Sequence, residues 1–411
     1  MGPALVPVAE AYRAVIDSVE TPPPVRAPLE EALHMALAEG VTADADSPPF
    51  DRAMMDGYAL RSDDAERTLR VVDVIAAGAY PRKEIRRGEC AQIMTGAPLP
   101  PGADAVQMVE KTKKADGGRV EILEAAKRGR NVSPRAEEFH KGDTVAPAGA
   151  LVTPAVMAVL ASVGAAEISV HPKPRIALFS TGSELVEIFE TPEPGKIRNT
   201  NAFSLPAQLR EAGLSVSERK TLRDDPEEIR AAVRAALESH DVVVLTGGVS
   251  VGEFDYVVDA LEDAGVEVLF RKVAVKPGKP LVFGTAPDGR LIFSLPGNPV
   301  SSVVLMHLFV LPALRKRLGV RPWDNPRVGA ALESPLRVKP NELTKYLPAA
   351  LSCREGAFTA APVAIRGSAD IFHFSEANAL VEVPPDSSGW EKGEKAPAIP
   401  LGAWTRALLR P

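Results

Sequence analysis

The chain has 411 residues, 45% of them hydrophobic and 25% charged, the balance of a globular protein of about two to four domains. A formal net charge of −6 argues against a general nucleic-acid binder, and two cysteines, Cys90 and Cys353, exclude a disulfide framework or a cysteine-based metal cluster. No basic-then-apolar leader opens the chain, and the longest apolar segment, Val300 to Leu314, reads as too short for a membrane span and is interrupted by His307 and Pro312, so the expectation is a soluble cytoplasmic protein with neither nucleic-acid nor membrane partners.

In chain order, Val8, Tyr12, Val15 and Ile16 recur at helical spacing, and a second helical run is expected from Leu29 to Ala38, beyond the Pro22–Pro24 break. Residues 47–141 change character. Leu69 to Ile75, Ala91 to Met94, Ala105 to Glu110 and Arg119 to Leu123 are short β-type runs between Gly and Pro turns, which predicts a small all-β module. A helix is expected from Pro154 to Val163, packed back on the N-terminal helices so that the β module is an insertion. Residues 172–320 alternate strand and helix, with strands at Arg175 to Ser180, Ser215 to Leu222, Asp241 to Leu245, Val266 to Val275 and Leu291 to Leu295. The clearest helix is Pro226 to Leu237, with Asp225 as N-cap, Pro226 at the first helical position and two acids in the first turn. That alternation predicts a doubly wound α/β domain. Residues 323–411 return to short strands. The fold class is therefore multidomain α/β plus β. The expected division is 1–46 with 142–171, 47–141, 172–322 and 323–411.

Four strand-end loops in 172–322 carry chemistry. Ser180-Thr-Gly-Ser-Glu-Leu185 presents Glu184, either as a site acid or as a capping acid on the next helix. Thr246-Gly-Gly-Val-Ser-Val-Gly-Glu-Phe-Asp255 follows an apolar strand and precedes helical spacing at Tyr256, Val257, Ala260 and Leu261. Strand, glycine loop and helix offer backbone N–H groups to an anion, and Ser250, Glu253 and Asp255 add oxygen ligands suited to a phosphate bound with a divalent cation; the plainer alternative is a strand–turn–helix corner that needs glycine for backbone reasons alone. Lys276-Pro-Gly-Lys-Pro280 fixes two lysines at a strand end, as an oxyanion site requires; a rigid surface turn is the plainer alternative. Leu295-Pro-Gly-Asn-Pro-Val-Ser301 opens a long helix, with Asn298 as cap and Pro299 at the first helical position. In a parallel sheet such loops face one edge, where these folds bind ligands. Outside this segment, Phe50-Asp-Arg-Ala-Met-Met-Asp-Gly-Tyr-Ala59 and Ile93-Met-Thr-Gly-Ala97 read by composition as structural turns.

Met55-Asp-Gly-Tyr-Ala59, Met94-Thr-Gly-Ala97 and the four loops above, in this order, resemble the MoeA family of molybdopterin molybdenumtransferases, which includes the E domain of gephyrin and the plant Cnx E domain. The resemblance runs from about residue 5 to the C-terminus. It implies four domains, an elongated homodimer and a pterin-binding α/β domain like that of MogA, with the active site formed with the β insertion of the other subunit. It also implies an enzyme that takes adenylated molybdopterin and molybdate, cleaves the phosphoanhydride with Mg²⁺, releases AMP and leaves molybdenum on the pterin dithiolene. Transient contact with a MogA-type adenylyltransferase and with molybdoenzymes goes with that role.

By the same resemblance the catalytic set is Asp56, Thr95, Glu138, Glu184, Asp224 and Asp255, with Asp224 and Asp255 as Mg²⁺ ligands. Pterin and nucleotide binding falls to Gly247, Gly248, Ser250, Gly252, Pro296, Asn298 and Pro299, and molybdate binding to Lys276, Lys279, Pro280, Ser301, Lys345 and Ser368. The chain departs from the family pattern in four places. Ala53 replaces a serine, Ala136-Glu-Glu138 replaces Gly-Glu-Asp, Ser183 replaces an aspartate, and Lys345 stands where the family has arginine. Arginine grips an oxyanion with a planar fork and lysine with a point charge, so the last change is not conservative. The alternative function these departures leave open is an impaired paralogue acting as a pterin-binding or scaffold protein. A CinA-like nucleotide hydrolase shares a Thr-Gly-Gly loop but not the lysine and Leu-Pro-Gly-Asn-Pro loops.

Overall fold

The computed structural model describes residues 5–64, 67–248 and 256–402. Contacts divide the chain into two compact units, one of residues 1–39, 149–154 and 167–411, the other of 40–148 and 155–166.

The first unit is built on a six-stranded sheet. Its order is Val216–Leu222, Ile176–Thr181, Val242–Thr246, Leu291–Leu295, Val282–Thr285, Glu267–Phe270. The first four strands run parallel, and the last two add an antiparallel edge. Ile176–Thr181, Val242–Thr246 and Leu291–Leu295 are buried along their whole length, as strands covered on both faces must be. One face packs on the helices Pro226–Ser239 and Tyr256–Asp263, the other on Asn201–Glu211 and the long helix from Pro299. The doubly wound expectation holds. The expected strand Val266 to Val275 splits instead, because only Glu267–Phe270 joins this sheet and Val275–Lys276 joins another.

The helix Pro299–Arg317 has 19 residues and a mean hydropathy of 1.2, so by length and composition it could cross a membrane. This corrects the reading of that segment as too short. In the structure 89% of it is buried inside the protein, as a core helix would be. Pro312 has no N–H for the turn behind it, and the helix widens to a π-turn over Met306–Val310 just before it.

The C-terminal strands close into a small barrel, in the order Thr344–Arg354, Ala357–Pro362, Val328–Leu332, Lys395–Pro400, Ala379–Val383 and back to Thr344–Arg354. Alanines 330, 349, 360, 379, 396 and 398 share its interior with Leu332, Leu351 and Val381, because the narrow space inside five strands takes mostly small side chains. Val275–Lys276 adds a parallel pairing on Thr344–Lys345.

The N-terminal helix is observed at Val8–Asp17. The second expected helix is absent. Val25–Pro28 is a strand paired with Glu167–Val170, only one 3₁₀ turn follows at Leu29–Glu31, and His34 sits at φ 63°, where a helix cannot continue.

The second unit contains a six-stranded sheet ordered Ala105–Met108, Gly57–Leu60, Glu89–Ile93, Thr68–Ile75, Arg119–Ile122, Thr112–Ala115, the expected β module. Residues 155–166, which hold most of the helix Pro154–Ser162, group with this module.

Candidate active site

Three neighbouring parallel strands, Ile176–Thr181, Val242–Thr246 and Leu291–Leu295, end at one edge of the first unit's sheet, and a cavity of about 600 Å³ opens there. Its walls are the residues that follow those strands, Gly182, Gly247, Gly248 and Pro296 to Pro299, joined by Glu184 and Asp224. The carboxyl edge of a parallel sheet is where helix N-termini and turn amides gather, so this is the edge where a ligand is expected.

Gly247 shows why glycine is required. Its φ is +89°, and a Cβ there would lie 2.3 Å from the Thr181 carbonyl oxygen. The Gly247 N–H donates to the Leu295 carbonyl at 3.0 Å, tying the glycine loop to the Leu295-Pro-Gly-Asn-Pro turn. Ser250, Gly252 and Asp255, expected to complete this loop, lie outside the described residues.

Asp224 is oriented by a reciprocal pair. The Ser183 N–H donates to Asp224 Oδ2 at 3.0 Å, and the Asp224 N–H donates to Ser183 Oγ at 3.1 Å. Lys196 Nζ holds the Ser183 carbonyl at 2.5 Å. The backbone N–H at position 183 therefore turns the Asp224 carboxylate, while the serine hydroxyl fixes the Asp224 backbone. Glu184 folds back over its own turn, with its carboxylate oxygens 2.6 and 2.8 Å from where a Gly182 Cβ would stand. Both acids are oxygen donors on one cavity.

The Leu295-Pro-Gly-Asn-Pro turn is held from three sides. Asn201 Nδ2 donates to the Gly297 carbonyl at 2.8 Å, the Ser302 hydroxyl donates to the Pro296 carbonyl, and Asn298 Nδ2 donates to Ser368 Oγ at 2.9 Å. The Val300 N–H adds a bond to the Ser368 carbonyl at 3.0 Å. Asn298 occupies the N-cap position, yet its side chain makes no capping bond. Helix capping therefore does not explain Asn298, which instead anchors the segment that carries Ser368. Ala369 and Ile371 of that segment line the cavity.

The expected molybdate residues divide. Pro280 lines the cavity, whereas Lys276, Lys279, Ser301, Lys345 and Ser368 do not. Lys276 and Lys345 are register partners across the Val275–Lys276 and Thr344–Lys345 pairing. Lys276 and Lys279 are exposed; Ser301 and Lys345 are buried, Lys345 with 4% exposure. Burial, then repulsion from Lys276, pushes the Lys345 ammonium below its usual pKa, with weak opposition from Asp386.

Asp56, Thr95 and Glu138 belong to the second unit. Asp56 Oδ1 accepts from the Thr95 N–H at 2.7 Å and from its hydroxyl at 2.8 Å, and these bonds, the backbone one first, hold the carboxyl below its ordinary value. Glu138 accepts from Ser47 Oγ at 2.6 Å and from Arg52 at 2.8 Å. The hydroxyl, then the guanidinium, favour its charged form.

The reading of the sequence did not single out Asn201 or assign Ser183 a role. The run Asn199-Thr-Asn201 at a helix start was the available signal for the first, because buried amides there need partners.

Residues 6–164 match the profile described as the MoeA N-terminal region (domain I and II). Residues 177–316 match a probable molybdopterin binding domain, and 332–401 the MoeA C-terminal region (domain IV). A protein named molybdopterin molybdenumtransferase from Staphylococcus aureus (strain MRSA252) is 35% identical over 96% of this chain and 95% of its own length. One of the same name from Bacillus subtilis (strain 168) is 36% identical over 94% and 92%. The crystal structure of the molybdopterin biosynthesis moeA protein from Pyrococcus horikoshii OT3 superposes with a TM-score of 0.78 at 29% identity, covering 97% of this chain and all of that one.

Proposed function

Because the chain belongs to the MoeA family of molybdopterin molybdenumtransferases, a family of molybdenum cofactor biosynthesis, we propose that its cavity takes adenylated molybdopterin together with molybdate. In this reading it cleaves the phosphoanhydride, releases AMP and leaves molybdenum on the dithiolene. The observation that carries the proposal is the gathering of Gly247, Gly248, Glu184, Asp224 and the Pro296–Pro299 turn on one cavity at the carboxyl edge of the sheet.

Little covalent chemistry falls to the protein. The glycine loop and the Pro296–Pro299 turn bind and orient the phosphates and the pterin, and rigid glycine and proline backbone pre-organises them. Among the described residues the ionisable acids on the cavity are Glu184 and Asp224, oxygen donors that suit a hard cation kept on one or two carboxylates and substrate phosphates. Asp224, with Asp255, would hold Mg²⁺, which supplies Lewis-acid neutralisation of the phosphate charge. The Ser183 backbone N–H keeps the Asp224 carboxylate turned for that task, and the Ser183 hydroxyl steadies the Asp224 backbone. Lys276, Lys279, Pro280, Ser301, Lys345 and Ser368 form the molybdate site in this reading, tied to the cavity through Pro280 and the Asn298–Ser368 bond. Glu184 positions water or cation, a task that Asp56 and Glu138 would share from the β insertion of the other subunit.

The same proposal keeps the four-part division of the chain, a homodimer, cytoplasmic residence, receipt of substrate from a MogA-type adenylyltransferase and delivery to molybdoenzymes. AMP release from adenylated molybdopterin, assayed with molybdate and Mg²⁺ and with each omitted in turn, tests it. Release that requires both supports the proposal. No release with both present would leave the chain a binding protein.

A further inference from the structure

Strand register places Lys276 and Lys345 side by side on neighbouring parallel strands. Like charges in that arrangement repel, and a sheet gains nothing by keeping them. Lys345 is also 4% exposed, and its ammonium has one long hydrogen bond, 3.5 Å to the Leu343 carbonyl. Among the described residues no carboxylate lies within ion-pair distance of Lys276, Lys279 or Lys345. The elements around Lys345 do not supply one. Val383 is its partner on the next barrel strand, the neighbouring Glu382 is taken by Arg327, and Asp386 in the following turn acts only weakly from a distance. A buried ammonium facing another, without an acid in contact, is a cost that a bound anion removes.

We propose that Lys345 biases the charge of the oxyanion this chain accepts: beside Lys276 and Lys279 it adds a third ammonium, whose attraction to a tetrahedral dianion is about twice that to a monoanion of the same shape. This rests on the reading that Lys276, Lys279, Ser301 and Ser368 form the oxyanion site, and it assigns Lys345 the part that shape cannot play. Tungstate and perrhenate are both tetrahedral MO₄ anions of similar size but carry two charges and one, so they separate charge from shape.

Isothermal titration of the full chain with each anion near pH 8 is the test. The wild-type chain should prefer tungstate by at least about tenfold, the scale of one added charge–charge interaction at a half-buried site. Lys345→Met keeps the buried stem and removes one of three positive charges, so the preference should fall several-fold while Lys276 and Lys279 keep part of it, whereas Lys345→Arg should retain it in full. Thermal melts without anion give a second readout. The Lys345→Met chain should be at least as stable as wild type, because an unneutralised buried charge has gone, and added tungstate should stabilise it less. A Lys345→Met chain that keeps the wild-type preference, or that fails to fold, overturns the proposal. A wild-type chain that binds neither anion removes the oxyanion site itself. AMP release with molybdate in the same preparations separates that failure from failure of the charge-selection step alone.

Discussion

Asp224 and Ser183 hold each other through two backbone-to-side-chain bonds, so the acid's direction is set before any ligand arrives. Asp224→Asn keeps the size and loses the charge. AMP release should fall by roughly 10²-fold or more, the scale for removing one preorganised electrostatic group, with the melting temperature nearly unchanged. Ser183→Ala should cost only several-fold, as one modest hydrogen bond does. Asp56 behaves differently. Bonds from Thr95 favour its charged form, so its folded pKa lies below the ordinary value near 4. Their contribution to local order is therefore present above that ordinary value and is lost as pH falls through the lower folded one. Thr95→Ala leaves the backbone bond and removes the hydroxyl. A carboxyl NMR titration should show the Asp56 midpoint move part of the way back up. An unmoved midpoint would mean the hydroxyl bond does not form in solution. The two cysteines give a third contrast. Burial, aided by Glu89, pushes the Cys90 thiol up to about 12, while Cys353 is exposed. A thiol reagent at pH 8 should label one cysteine in the native chain and two after denaturation.

At the scale of elements, two helix starts that look alike in sequence do different work. Asp225 caps Pro226–Ser239 through the N–H groups of Glu227 and Glu228, and Asp225→Ala should cost about 1 kcal/mol of stability with little effect on turnover. Asn298 spends its side chain on Ser368, 70 residues away, so Asn298→Ala should weaken oxyanion binding more than it lowers stability. Equal losses of stability in the two variants, with binding intact, would contradict that distinction. The difference also marks what a sequence can disclose. Capping is local chemistry, and Asp225 with Pro226 was legible. The Asn298–Ser368 bond and the Lys276–Lys345 register are long-range and were not. The helix expected at Leu29 to Ala38 failed for the same reason: apolar spacing suggested a helix, but Val25–Pro28 pairs with Glu167–Val170 far along the chain. The strand Val282–Thr285, near a turn with two prolines and a glycine, was missed because nothing local announces an antiparallel edge. Glycine loops were legible because their constraint is local. Gly247→Ala should cost at least about 1–3 kcal/mol, from strained backbone and contact with Thr181.

Across the whole first unit, one hydrophobic core joins the N-terminal helix, one face of the parallel sheet, the helix Pro299–Arg317 and the outer face of the barrel. Val15, Phe293, Phe309 and Leu380 all belong to it. Sheet and barrel should therefore lose structure together. Phe309→Ala, at a fully buried position, should cost about 3–5 kcal/mol. Amide exchange should then lose protection in Val242–Thr246 and Ala379–Val383 in parallel. The central claim is that this unit couples phosphoanhydride cleavage to metal transfer. The most direct measurement is a single-turnover reaction with adenylated molybdopterin, Mg²⁺ and molybdate, counting AMP released and molybdenum left on the pterin, in the wild-type chain and in Asp224→Asn. The account predicts equal amounts of both products in the wild type, dependent on molybdate, and a collapse of both in the variant. AMP released without molybdenum transfer, or parental yields from Asp224→Asn, would contradict it.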